Sequence, residues 1–192
     1  MTGNILLPAL RARQRVMFRS RRIGLAMTGG KPITAIMASL SMSAALAFPE
    51  GAPWGAADPD ADEHCGSCHF GYDATLDAIN ITIKGLPETA APGQTYELQV
   101  SFADSEAAIA GFQSLATSGE FYAENGNIEY FGAAIRSTKP SPADAGFDWT
   151  LSWTAPEAPG AAVIIYVAVV AGNDDLSPFG DRAFFRAFEI DL

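Results

Sequence analysis

From residue 79 onward, apolar and polar positions alternate with a period of two. Ile79, Ile81 and Ile83 are interleaved with Asn80, Thr82 and Lys84, and Gly85-Leu86-Pro87 ends the run. Pro92-Gly93 marks a turn before Tyr96, Leu98, Val100 and Phe102. Phe147, Trp149, Leu151 and Trp153 alternate ahead of Ala155-Pro156, and Phe184, Arg186, Phe188 and Ile190 form a last strand whose Arg186 is expected to face solvent. A period of two sends successive side chains to opposite faces, as in a strand with one face buried. Residues 163–170 are apolar at almost every position, which predicts a central strand covered on both faces. Weaker strands are predicted at 111–116, 120–123 and 128–135, and one short helical turn at 70–78. A series of about seven to nine short strands between turn residues predicts an all-β antiparallel sandwich over 79–192.

The part of the chain before residue 79 is organised differently. Of 12 basic residues, Arg11, Arg13, Arg15, Arg19, Arg21, Arg22 and Lys31 precede the first acid, Glu50. An apolar run rich in Ala, Ser, Ile and Met follows over 32–47 and ends in Ala45-Leu46-Ala47. A cationic stretch, an apolar stretch and a small-x-small site in that order are a signal peptide, residues 1–47, cut before Phe48. The run is shorter than the ~20 apolar residues of a membrane span. Ser20-Arg21-Arg22 leaves the route open between general secretory and twin-arginine export. Residues 48–63, rich in Pro, Gly, Ala and Asp, read as a flexible acidic linker.

Cleavage changes the charge from −10 to −17, because 5 basic residues remain against 22 acidic ones. That surface repels nucleic acid and anionic headgroups and suits cationic partners or a salty medium. The expected mature product is periplasmic, secreted or at the cell surface, without a stable membrane anchor.

The chemistry is concentrated in residues 64–78. Cys65-Gly66-Ser67-Cys68-His69 contains both cysteines of the chain, and Cys-x-x-Cys-His is the attachment signature of c-type haem. Two thiols at that spacing reach the two vinyl groups on one porphyrin edge, and the next residue can present its imidazole to the iron. Cys65 and Cys68 are therefore candidates for the thioethers of one covalent haem c, and His69 for the proximal iron ligand. Two other readings stay open. Exported thiols oxidise, so Cys65 and Cys68 could close a local disulfide. A shared zinc site could draw on His64 and nearby carboxylates, although zinc wants about four ligands.

Several short motifs recur in a known order: Cys-x-x-Cys-His, then Ile81-Thr82-Ile83-Lys84-Gly85-Leu86-Pro87, Pro92-Gly93-Gln94-Thr95-Tyr96, Gly111-Phe112-Gln113, Phe147-Asp148-Trp149 and Trp153-Thr154-Ala155-Pro156. In this order the chain resembles the bacterial choice-of-anchor V proteins, whose β-domain is similar to the Reeler domain of reelin-like extracellular proteins. The resemblance spans roughly residues 55–192. It implies an immunoglobulin-like (Reeler-like) sandwich behind a haem-motif segment, with Cys65, Cys68 and His69 in the haem-binding positions. Members often end in an anchor, whereas this chain ends at Glu189-Ile190-Asp191-Leu192, so surface retention is not carried over.

The inventory of iron ligands is short. Met1, Met17, Met27, Met37 and Met42 all lie in the leader, which removes the Met/His ligand pair of many cytochromes. His64, the other histidine, is tied too close to Cys65 to cross the porphyrin and reads as solvated. A water or a vacant site, Lys84, Lys139, a tyrosine, the new amino terminus at Phe48 or His64 of a second molecule remain for the sixth position. Asp58, Asp60, Asp62 and Glu63 form an acidic shell before the motif, and Asp174, Asp175 and Asp181 read as a second, solvated acidic turn.

The leading expectation is an exported monohaem redox or electron-transfer protein serving an unidentified redox partner. The alternative is an extracellular binding or adhesion module whose cysteine pair is a structural disulfide. A peroxidase-type enzyme would need a distal His or Arg, and Arg136, Arg182 and Arg186 are not patterned for it. The leader generates its own test: amino-terminal sequencing of protein recovered from outside the cytoplasm is expected to begin at Phe48.

Overall fold

The computed structural model describes residues 51–158 and 160–192. The expected leader (residues 1–47), its expected cleavage site and positions 48–50 lie outside the described residues. Among those described are ten strands: β1 (Ile81–Lys84), β2 (Thr95–Phe102), β3 (Ile109–Ala116), β4 (Glu120–Tyr122), β5 (Ile128–Phe131), β6 (Ala134–Ser137), β7 (Ser141–Pro142), β8 (Asp148–Thr154), β9 (Val163–Gly172) and β10 (Arg182–Ile190). They form two antiparallel sheets. The smaller runs β1-β2-β8-β4 and the larger β10-β9-β3-β6-β5, with β7 also paired to β3. The protein is an all-β antiparallel sandwich.

The period-two residues meet between the sheets. Leu98, Val100 and Phe102 from β2 and Trp149, Leu151 and Trp153 from β8 are buried against Phe112 of β3 and Val163, Ile165, Val167 and Val169 of β9. Phe112 and Trp149 lie 4.7 Å apart at their ring centroids, and Phe102 and Phe184 5.0 Å apart. Removing side chains of this size from water contributes roughly 1.5–3 kcal/mol each. Among the described residues, Trp149 Nε1 and Ser114 Oγ are buried polar atoms without a hydrogen-bond partner.

The outer face of the larger sheet carries a second, smaller core. Ala168 of β9 and Ala183 and Phe185 of β10 are covered by Ala56, Ala57 and Cys65. The segment read as a flexible approach is therefore packed on the sheet at Ala52, Ala56 and Ala57, the last fully buried, while Asp60, Asp62 and Glu63 are exposed. Gln113, on the same face of β3, accepts a hydrogen bond from Ala57 N (3.2 Å) and donates one to Pro53 O (2.9 Å). β9 is apolar on both sides because the sandwich covers one face and this segment covers the other.

Three further features differ from the pattern reading. Residues 128–135 split into β5 and β6, because Gly132 takes a positive φ of 58° at the turn between them. Residues 70–78 form no helical turn and instead run beside β10. Thr75 N donates to Ala183 O (2.9 Å), Phe185 N to Thr75 O (2.8 Å) and Ala78 N to Phe185 O (2.9 Å), which covers the strand edge that an open sheet would expose. Arg186 does not face solvent freely. Its Nη1 donates to Ile81 O (2.5 Å), tying β10 to the smaller sheet, and its guanidinium lies over the Phe188 ring.

Two outcomes are expected from this packing. Gln113→Ala leaves the buried Ala57 amide without its acceptor and is expected to destabilise the protein by about 1–3 kcal/mol, read from urea unfolding. A chain beginning at Thr75 keeps the inter-sheet core but exposes Ala168, Ala183 and Phe185 to water. It should show β-type circular dichroism and a cooperative melt, at a lower Tm than the chain beginning at Phe48.

Candidate functional site around the cysteine motif

Cys65–Cys68 is one turn of α-helix, and His69 N closes it by donating to Cys65 O (3.0 Å). His64 begins the turn as a cap. Its Nδ1 accepts from Gly66 N (3.1 Å), while Ser67 Oγ accepts from His64 N (3.1 Å), so both ends of a capping box are present. The His64 ring also meets Phe185 edge-on, 5.6 Å between centroids. His64 is thus a structural residue, not the solvated one expected.

The two thiols sit in different surroundings. Cys65 is buried in the outer core and Cys68 is half-buried, and both are free. Burial pushes the Cys65 thiol up to about 12, with the neighbouring Cys68 adding to the rise. Desolvation disfavours the thiolate, so Cys65 is a neutral thiol in the folded haem-free chain.

His69 is held from the far end of the sequence. Its Nδ1 lies 2.7 Å from Asp181 Oδ2, 112 residues away. An ionised carboxylate only accepts, so Nδ1 carries the hydrogen, and in the neutral ring Nε2 then holds the lone pair. The Asp181 side chain is 9% exposed and that of His69 26%. Asp181, read from sequence as part of a solvated turn with Asp174 and Asp175, is buried. The other two acids remain exposed.

A cleft of about 230 Å³ opens beside this pair, with Cys65, His69, Gly111, Val170, Lys139 and Asp181 in its walls. Strand pairing explains why the cleft is there. β6 pairs with β3 through Gln113, Ser114 and Leu115, and β7 rejoins β3 only at Ile109 and Ala110. Residues 138–140 bow out between them, and Ser137 Oγ accepts from Phe112 N (3.1 Å) in place of a ladder bond. Gly111 and Gly172 leave the floor without side chains. A smaller recess of about 60 Å³ adjoins Cys65, Cys68, His64 and His69.

Cys65, Cys68 and His69 are thus brought together on one turn, as their spacing requires. Lys139 shares the cleft with His69, whereas Lys84 lies on β1 in the other sheet. Among the described residues no three His, Cys, Asp or Glu side chains converge to hold a metal ion, so the zinc reading finds no ligand set. None of the described helices is long and apolar enough to cross a membrane. Sequence reasoning missed Asp181 as a partner of His69 and missed Arg136, which lines the cleft, pairs with Glu129 and lies 4.2 Å from the Trp54 ring centroid.

No protein-family model matches the chain, and no curated protein matches it. Among solved structures it is similar to the Reelin-N domain of F-spondin, at 17% identity and a TM-score of 0.48, over 62% of this chain and 91% of that one. It is also similar to the human F-spondin reeler domain, at 16% identity and a TM-score of 0.49, over 62% of this chain and 95% of that one.

Proposed function

We propose that the protein is an exported monohaem c-type redox protein of the choice-of-anchor V kind, in which Cys65 and Cys68 hold haem c through thioethers and His69 ligates the iron. The observation that carries this reading is the state of His69. Its Nδ1 is engaged by Asp181, which leaves Nε2 as the free donor, and metal-binding histidines are commonly held through the other ring nitrogen in this way. Cys65 and His69 also border the same cleft. At about 230 Å³ it is smaller than the roughly 300–1,000 Å³ of sites that enclose a ligand. It would seat part of a tetrapyrrole, and the covalent bonds would do the retaining.

The bound haem supplies one-electron chemistry, and the chain's residues supply its attachment and surroundings. Because Cys65 is buried as a neutral thiol once folded, attachment belongs to the stage before residues 52–65 pack on the sheet. The alternative, a binding module with a Cys65–Cys68 disulfide, shares the sandwich but leaves the His69–Asp181 bond without a task.

Protein exported by a host competent in haem attachment is expected to carry the mass of one haem that survives acid–acetone extraction, and Cys65→Ala with Cys68→Ala should abolish it. A colourless product with an intact Cys65–Cys68 disulfide would favour the binding module instead. The ferric spectrum of dilute protein is expected to be at least partly high-spin, with carbon monoxide binding readily to the reduced form. A low-spin spectrum that became high-spin in Lys139→Ala would identify Lys139 as the sixth ligand.

A further inference from the structure

We infer that Asp181 is the positioning residue of His69, and that through it the β-sandwich sets both the orientation of the iron ligand and the reduction potential. The inference rests on the haem reading and concerns a residue that the attachment motif does not contain.

The geometry around the pair is built from both sides. Phe70 follows His69 and Gly180 precedes Asp181. Phe70 N donates to Pro178 O (3.2 Å), and Gly180 N donates to Phe70 O (3.2 Å). Two backbone bonds thus clamp the positions next to the two side chains, and the Phe70 and Phe179 rings meet edge-on with centroids 4.6 Å apart. On the sheet side Asp181 leads directly into β10, whose first pair is Arg182 with Ala171. Gly172 is its neighbour there. A Cβ on Gly172 would come within 3.3 Å of Asp181 Oδ1 and 3.0 Å of Ile109 Cγ1, so the carboxylate occupies space left by a missing side chain. The chain spends a buried carboxylate, a glycine and a clamped loop on one imidazole nitrogen.

The chemical consequence follows from charge. A carboxylate accepting from Nδ1–H draws that hydrogen toward itself and leaves more electron density on the ring. Nε2 then becomes a stronger donor, which favours ferric over ferrous iron and lowers the potential. A backbone carbonyl at the same place would orient the ring with far less of this effect, because charge-assisted hydrogen bonds are roughly twice as strong as neutral ones.

The test compares the haem-loaded wild type with Asp181→Asn, which keeps an oxygen acceptor without the charge, and Asp181→Ala, which keeps neither. Haem content is expected to stay at one per chain in all three, since the thioethers retain it. The midpoint potential should rise in both variants, and the ferrous iron–histidine stretching frequency should fall, furthest in the Ala variant. Unchanged potential and stretching frequency in Asp181→Ala would overturn the inference. A second arm needs no haem. In the full-length chain exported with Cys65→Ala and Cys68→Ala, imidazole nitrogen-15 shifts should put the hydrogen of neutral His69 on Nδ1. Adding Asp181→Ala should move it toward Nε2. A hydrogen on Nε2 with Asp181 intact overturns the pairing, whereas a chain that never gains haem overturns the haem reading and leaves this arm to decide the pairing alone.

Discussion

A strand that is apolar on both faces must be covered twice, and β9 imposes that requirement on the rest of the molecule. The smaller sheet covers Val163, Ile165, Val167 and Val169, as any sandwich would. The opposite face, with Ala168 beside Ala183 and Phe185 of β10, is closed by Ala56, Ala57 and Cys65. These partners are mostly alanines, so the backbone of the covering segment lies close to the sheet, and its polar groups then need partners of their own. Gln113 meets that need for Ala57 and Pro53, and His64 and Ser67 meet it for the helical turn. The cysteine motif is therefore part of the second core and does not hang from a tether.

An open sheet edge adds a second requirement with the same result. β10 has β9 on one side only, and an unpaired edge invites association with other chains. Residues 70–78 cover part of it, and farther along Ala90 N donates to Asp191 O while Asp191 N donates to Glu88 O. Covering the edge from residue 70 onward brings His69 level with the start of β10, where Asp181 stands. The contact between the motif and the sandwich thus follows from two general demands of β-structure, that both faces and the free edge be satisfied.

These demands explain which features could be read from sequence. Leu98, Val100 and Phe102, and likewise Trp149, Leu151 and Trp153, announce their strands because each burial depends only on the period of its own segment. Residues 163–170 gave away the double coverage, but nothing in their pattern names the second cover. Ala56 and Ala57 lie among Pro, Gly and Asp and carry no period, since two alanines suffice where the sheet itself offers alanines. Asp181 looked like its loop neighbours Asp174 and Asp175, because its burial comes from a bond to His69 across 112 residues. Gln113 was the available clue. A glutamine amid the apolar residues of β3 marks a backbone to be satisfied on the outer face. Arg186 misled for the opposite reason: its charge suggested solvent, whereas alternation puts it on the inner face with Phe184 and Ile190, where a carbonyl of the other sheet lies within its reach.

The electrostatics of the site come in two strengths. Asp60, Asp62 and Glu63 are exposed, and charges of that kind act through water and salt, where even contacting pairs contribute only about 0.2–1 kcal/mol and the field is screened beyond roughly 8–10 Å. Asp181 is buried and in direct hydrogen-bond contact with the proposed iron ligand, where a hydrogen bond to a charged group contributes about 1.5–3 kcal/mol. In the proposed haem protein the larger influence on the iron would therefore belong to one carboxylate of the sandwich, although the acidic shell beside the motif is the more conspicuous feature of the sequence. Added salt would weaken the shell's part and leave that of Asp181 nearly untouched. In a chain with a formal net charge of −10, the position of a single acid matters more to the site than the total.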